Sequence, residues 1–467
     1  MSKKPLLTNI LMIGFGNQGQ AVLPLLFDYF DIKPEQITII TATEEGNAVA
    51  EHYHIRPIIL TLTPNNYKSI ILEYLRKGSI LFNISVDVSS IDLMKTCFEV
   101  GAMYMDTSIE PWAGGYVDER LSVSQRSNYA LREQALALRA QYPKGPTALL
   151  AHGANPGLVS HMVKRSLLTI AKDLGMNSST PADQKGWADL AQKLEVKVIH
   201  VAEQDKQYYK KERRRGEFLN TWSVEGLISE GCQPAELGWG SHEKVLPEDG
   251  CRHEFGCQAA IYLNKPGLMT RVRSWAPIAG PYMGYLITHN EAISISDYFT
   301  VKENGKASYR PTVHYSYQPS SAALLSIHEF LGNQMKKPLS QRVIKEDIES
   351  GVDELGVLLM GHPKGAYWYG SQLSIEEARR LAPFNNATSL QVASGMLAGL
   401  VWVVNHPNEG IVESEQMDHE EVLKVAEPYL GKLVGAYSDW TPLKDRLNLF
   451  PENIDRTDPW QFINFRV

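Results

Sequence analysis

Between Glu217 and Glu243 the chain carries five glutamates (Glu217, Glu225, Glu230, Glu236 and Glu243) and two tryptophans, Trp222 and Trp239, with no lysine or arginine among them. Carboxylates draw in a cation, and an indole face holds one without neutralising it. A cleft built from this stretch would therefore select a positively charged substrate.

A second constellation stands near the start. Gly14-Phe15-Gly16-Asn17-Gln18-Gly19 follows a run that reads as a buried strand over 9–13 and precedes helical apolar spacing over 21–29. In such a turn the first glycine permits the tight bend, the second lets a pyrophosphate approach the backbone, and the third lets helix and strand pack closely. Gly14, Gly16, Asn17, Gln18 and Gly19 are the expected dinucleotide contacts. The next strand ends Ile40-Thr41-Ala42-Thr43-Glu44, with no acid where the adenosine ribose is ordinarily held and no arginine for a 2′-phosphate. That pattern favours NAD over NADP. Thr41, together with Ser85, Val86 and Thr107 at the ends of later strands, completes the expected cofactor edge.

Asp87 and Glu110 also follow predicted strands, on the edge where open α/β sheets bind ligands. Each has a structural alternative: Asp87 could cap the following helix, and Glu110 could open an ordinary turn before Pro111-Trp112. His289, in Leu286-Ile287-Thr288-His289-Asn290-Glu291, reads as a residue of an apolar strand, where a histidine is often only a satisfied core group. Cys251-Arg252-His253-Glu254-Phe255-Gly256-Cys257 lacks zinc-site spacing and a second ligand pair, so no metal is expected.

These residues need a frame. Strands are predicted over 36–40, 79–86, 102–106 and 147–151 and helices over 67–76, 91–100 and 124–142, an alternation that implies a parallel sheet with crossover helices. Beyond Gly157 the rhythm loosens, with helices over 158–174 and 181–193 and strand-like alternation over 195–201, 258–263 and 285–294. The fold class is α/β: a Rossmann-type doubly wound parallel sheet followed by a mixed α+β domain. We expect a nucleotide-binding domain over 1–156, a substrate and dimerisation domain over 157–385, and helices over 386–467 packing back on the first domain, with Thr388 or Ser389 as a cap.

At 467 residues, 43% hydrophobic, the chain is long enough for two cores. A formal net charge of −7 excludes the basic face that nucleic-acid binding normally requires. Four irregularly spaced cysteines suit a reducing cytoplasm, and neither an export signal nor a membrane span is expected, the longest late apolar run, 395–404, being half a bilayer.

Taken together, Ile13 to Gly19, Ala151-His152-Gly153-Ala154-Asn155-Pro156-Gly157, and Asn220-Thr221-Trp222-Ser223-Val224-Glu225-Gly226 through Pro234 to Gly240 resemble the bacterial homospermidine synthases, relatives of the saccharopine reductases. The resemblance implies an enzyme that oxidises putrescine to an imine with bound NAD, exchanges the amine for that of a second diamine, and reduces the product to homospermidine, releasing ammonia or diaminopropane. It implies a cationic-substrate pocket of Asp87, Glu110, Glu203, Trp222 and Glu230, with Asn155 and His289 near the nicotinamide, and a homodimer. Amine oxidation requires a base, because the nitrogen must be unprotonated to offer its lone pair. His289 and Glu203 both remain candidates. The alternative is a saccharopine dehydrogenase-like enzyme with net redox on an oxo acid, which would demand pocket arginines.

Overall fold

The computed structural model describes residues 3–176, 179–447 and 449–467. Seven parallel strands form the first sheet, in the order Ile411–Glu413, Ala148–Leu150, Met103–Asp106, Ile80–Asn83, Ile10–Ile13, Ile37–Thr41, Ile58–Ile59. Its inner strands are largely buried and mostly apolar, as a sheet covered by helices on both faces demands. The chain order along the sheet reverses at Ile10–Ile13 and Ile80–Asn83, which creates the crevice at the carboxyl ends of those strands.

The second sheet is mixed and ten-stranded. Strand Val198–Asp205 lies parallel to Thr312–Gln318 and antiparallel to Val352–Met360, and the hairpin of Arg271–Ala276 and Gly280–Tyr285 attaches through Tyr285 opposite Tyr317.

The last eighty residues serve both sheets. Helix Ala387–Asn405 packs on helix Asn17–Tyr29, strand Ile411–Glu413 completes the parallel sheet, and strand Lys432–Ser438 closes the edge of the mixed one. This segment was expected to be helical only; its strands are too short or too alternating to read without their partners. Ala387–Asn405 is capped by Asn386, whose side chain accepts from the Ser389 N–H, rather than by Thr388 or Ser389. It is the one helix among the described residues long and apolar enough to span a bilayer, and 89% of that stretch is buried inside the protein.

A larger correction concerns 285–294. The strand stops at Tyr285, and His289 is the extended residue heading helix Asn290–Tyr298. Every residue of that helix up to Ser296 is buried, so the polar-apolar contrast from which a helix is recognised is missing.

Arg132, 2% exposed, ties the two halves. It donates to Glu413 at 2.6 and 2.8 Å and to Asp297 at 3.0 Å. Glu236, fully buried on strand Pro234–Gly238, likewise accepts the Asn128 and Tyr129 N–H groups at the start of helix Asn128–Gln141.

Candidate functional site

The crevice opens into a cavity of about 810 Å³. Its floor is the glycine turn Gly14 to Gln18, its sides Thr41 to Thr43 and Ser85 to Val88, and its far wall Ser223 to Glu225 with Gln341 to Val343 and Lys345. Gly14 has φ +89°, and a Cβ there would sit 2.8 Å from the Ile84 carbonyl oxygen. A Cβ on Gly16 would meet no protein atom within 4 Å, so that glycine faces open space where an anion can approach. Helix Asn17–Tyr29 starts there without a side-chain cap, leaving its first N–H groups for a ligand. Asn17, 6% exposed, has a partner for neither its Nδ2 nor its Oδ1 atom, and Gln18 Oε1 is also unpartnered. As donors, the uncapped N–H groups and Asn17 Nδ2 fit the phosphates of a dinucleotide. No carboxylate stands at Thr41 to Thr43, and Glu45 is the first acid on that wall.

Ser85 bonds Asn83 at 2.6 Å, and Asp87 takes up the left-handed conformation with φ +62° on the cavity wall. Glu110 lies deeper. It is 8% exposed, its backbone N–H donates to Ser90, and its carboxylate accepts from the Ser108 hydroxyl at 3.1 Å. Burial, followed by the like charges of Glu230 and Asp87, pushes Glu110 up to about 8. That coupling connects the cavity wall at Asp87 with the acidic helix at Glu230.

A second cluster lies beyond the cavity lining. His289 is held between two carboxylates, Nε2 against Glu230 at 3.0 Å and Nδ1 against Glu291 at 3.1 Å. Burial opposes its charge, but Glu291 and Glu230 outweigh burial and raise the imidazole well above its ordinary value. The His289 ring lies 4.3 Å from that of Tyr315, whose hydroxyl donates to Glu203. Glu203 also accepts from Asn155 Nδ2 at 3.3 Å. Burial, countered by the Tyr315 bond and reinforced by Asp205, brings Glu203 up to about 7.

Trp222 sits just before helix Val224–Cys232, its Nε1 donating to Tyr317 at 2.9 Å. That bond fixes the edge of a half-buried indole, and Gly226, where a Cβ would press at 3.1 Å, lets it lie against the helix.

The five glutamates of the opening segment do not share one cleft. Glu230 meets His289 and Glu225 lines the dinucleotide cavity, but Glu217 pairs with Arg342, Glu236 caps a helix, and Glu243 accepts from Thr312 and the Phe462 N–H. Trp239 is a core residue packed on Phe462. Thr107 and Asn155 lie outside the cavity lining, Thr107 beside Gly153 and Asn155 against Glu203. His253 bonds Ser124, while Cys251 and Cys257 contact Asn264 and Arg132 respectively.

Sequence reasoning missed Glu291, Tyr315, Tyr317 and Lys345. Glu291 was legible in principle, two residues after a histidine. Tyr315 and Tyr317 alternate on one strand, but only the parallel register that sets Tyr317 beside Glu203 brings them to the site. A further cavity of equal volume, between 273–283 and 438–452, holds none of the expected residues.

An α/β nucleotide-binding crevice facing a mixed-sheet domain with a carboxylate and histidine cluster defines a class, and the chain belongs to the saccharopine dehydrogenase family. The saccharopine dehydrogenase NADP binding domain matches residues 10–149 and the saccharopine dehydrogenase C-terminal domain residues 153–438. Within it the chain groups with homospermidine synthases. It is 49% identical to the homospermidine synthase of Mesorhizobium japonicum over 98% of this chain and 96% of that protein. It is 50% identical to that of Blastochloris viridis over 98% and 97%. The crystal structure of the Legionella pneumophila homospermidine synthase in complex with NAD superposes with a TM-score of 0.93 at 48% identity, covering 100% of this chain and 99% of that one. Saccharopine dehydrogenase of Saccharomyces cerevisiae shares the fold at 10% identity and a TM-score of 0.52, over 92% of this chain and 100% of that one.

Proposed function

We propose that this chain is a homospermidine synthase that joins two diamines, putrescine with putrescine or with spermidine, using NAD as a recycled redox group. The observation that carries the reading is the cluster in which Glu203 and His289 meet across Tyr315, with Glu230 and Trp222 beside them and Glu110 coupling them to the dinucleotide cavity.

Bound NAD would supply a reversible two-electron exchange, held by Gly14, Gly16, Asn17, Gln18, Thr41, Ser85 and Val86 around the cavity, with Gly19 packing the helix against Phe15 and Ile84. The rest of the chemistry falls to side chains. A diamine enters as a dication, and opposite charges about 4 Å apart at an effective dielectric near 20 attract by roughly 4 kcal/mol. Asp87 and Glu230 hold the distal ammonium, Glu110, pushed up to about 8, accepts a hydrogen bond from it in its neutral form, and the Trp222 face adds about 0.5–2 kcal/mol while excluding water. Glu203, brought up to about 7 by burial, takes the proton from the reacting nitrogen, and Asn155 and Tyr315 fix its carboxylate. His289 stays protonated between its two carboxylates and is placed to return a proton to the departing amine. Of the two candidate bases, this assigns the role to Glu203.

We also propose the division into a nucleotide domain over 1–156, a substrate domain over 157–385 and a segment 386–467 that braces both, and a cytoplasmic homodimer. Exposed Met283, Leu447, Leu449 and Phe450 around the second cavity support a self-association surface. Incubating the protein with putrescine and NAD and analysing the products by mass spectrometry tests the function. Homospermidine with no net NADH is the expected result; stoichiometric NADH without a coupled polyamine would instead favour net-redox saccharopine dehydrogenase-like chemistry.

A further inference from the structure

The dinucleotide cavity has two walls of different origin. The glycine turn and the strand ends come from the first half of the chain, while Gln341 to Val343, on strand Ser340–Val343, and Lys345 just after it come from the second. Two cations stand on that far wall, in very different circumstances.

Arg342 is fully engaged: it donates to Glu217 at 3.1 Å, to Asp347 at 3.1 Å and to the Tyr209 hydroxyl at 2.7 Å. Lys345 is half-buried and makes one bond, from Nζ to Gln20 Oε1 at 3.2 Å, with no carboxylate at ion-pair distance among the described residues. Burial lowers its pKa, and Glu45 and Glu346 counter that only through space. A desolvated ammonium without a counter-charge is unfavourable unless an anion arrives.

The groups around it point to that anion. Gln20, 7% exposed, keeps an unpartnered Nε2. Asn17, on the preceding turn of the same helix and 6% exposed, has neither side-chain atom satisfied. The first N–H groups of helix Asn17–Tyr29 are uncapped, and Gly16 leaves space beside them. Unpaired donors from one half and a lone cation from the other thus converge on one end of one helix.

We propose that Lys345 is the charged partner of the dinucleotide's phosphates, so that a single bound nucleotide ties the two halves of the molecule together. This rests on the reading of the cavity as the NAD site. A cofactor regenerated in every cycle has no need to leave, and a cation supplied from across the crevice suits retention: release requires the far wall to give up its contact.

The test compares Lys345→Gln and Lys345→Arg with the unaltered protein, measuring NAD carried through purification and, after its removal, calorimetric affinities for NAD, ADP-ribose and adenosine. Lys345→Gln is expected to lose most of its NAD and to bind NAD and ADP-ribose roughly tenfold or more weakly, as loss of one charge-assisted bond implies. Adenosine, which has no phosphate, should bind as before, and Lys345→Arg should retain NAD. Without nucleotide Lys345→Gln should melt no lower than the unaltered protein, and the gain on adding NAD should be reduced only in Lys345→Gln. Unchanged NAD affinity in Lys345→Gln overturns the proposal, as does an equal loss for adenosine. If the unaltered protein binds no NAD, the cavity assignment itself fails, a different result from either.

Discussion

His289 Nε2 and Glu230 Oε2 meet at 3.0 Å although they belong to different elements, one heading helix Asn290–Tyr298 and the other near the end of Val224–Cys232. With Glu291 on its other nitrogen, the imidazole lies buried between two carboxylates, which favour its protonated form. If Glu230 holds the substrate ammonium, as proposed above, that ammonium competes with His289 for it, and substrate binding is coupled to the proton on His289.

Glu230→Gln should therefore impair diamine use at least about tenfold, as loss of one partly buried charge contact implies, and leave NAD bound. Steady-state kinetics and the NAD content of the purified variant measure the two effects separately. Wild-type kinetics would remove Glu230 from the pocket.

The same pair makes a stability prediction. The folded pKa of His289 lies above its unfolded value near 6.5, so its stabilisation is fully present below about 6.5 and is lost as pH rises through the higher folded value. Denaturant titrations should find His289→Asn furthest below wild type at pH 6, with the gap narrowing in alkali.

Glu203 behaves in the opposite sense from a surface carboxylate. Its folded pKa is raised to about 7, so between the ordinary range and 7 the folded state holds a proton that the unfolded chain releases. Stability falls as pH rises through that window. Glu203→Gln should melt above wild type at pH 8, match it below pH 5, and be catalytically inactive. Wild-type kcat/KM should rise with pH through about 7, where the base becomes available. A flat profile there would assign the base elsewhere.

Trp222→Ala should raise KM for putrescine by roughly 2- to 30-fold, the range of a cation held on an indole face, with Trp222→Phe between the two. Retained NAD in both variants would separate this effect from damage to the cofactor cavity.

The glycine turn offers a paired test. Gly16→Val adds a side chain that meets no neighbouring protein atom at its Cβ and should fold but exclude NAD. Gly14→Ala forces a Cβ to within 2.8 Å of backbone at φ +89° and should lose roughly 1–3 kcal/mol of stability. Thermal melting with and without NAD distinguishes them.

Much of the first sheet could be read from the chain, because buried parallel strands are continuous apolar runs and the glycine spacing places the turn between strand and helix without tertiary help. At the candidate site Trp222 and Glu230 could be singled out directly, since charge and aromaticity belong to side chains wherever they lie, whereas Glu203 entered only through the family resemblance. What the linear order could not contain was pairing. It left Glu217, Glu236 and Glu243 looking like members of the same pocket as Glu230, although one pairs with an arginine, one caps a helix and one braces the C-terminus.

By itself the sequence determined which groups were available and placed the glycine turn and the buried parallel strands, because turn chemistry and apolar runs act over a few residues. Only the tertiary structure decided that His289 heads a buried helix, that Tyr315 reaches Glu203 across a parallel register, and that Lys345 touches Gln20, 325 residues before it. Burial and the distance between charges set how those groups ionise, and both are properties of the packed molecule rather than of the chain.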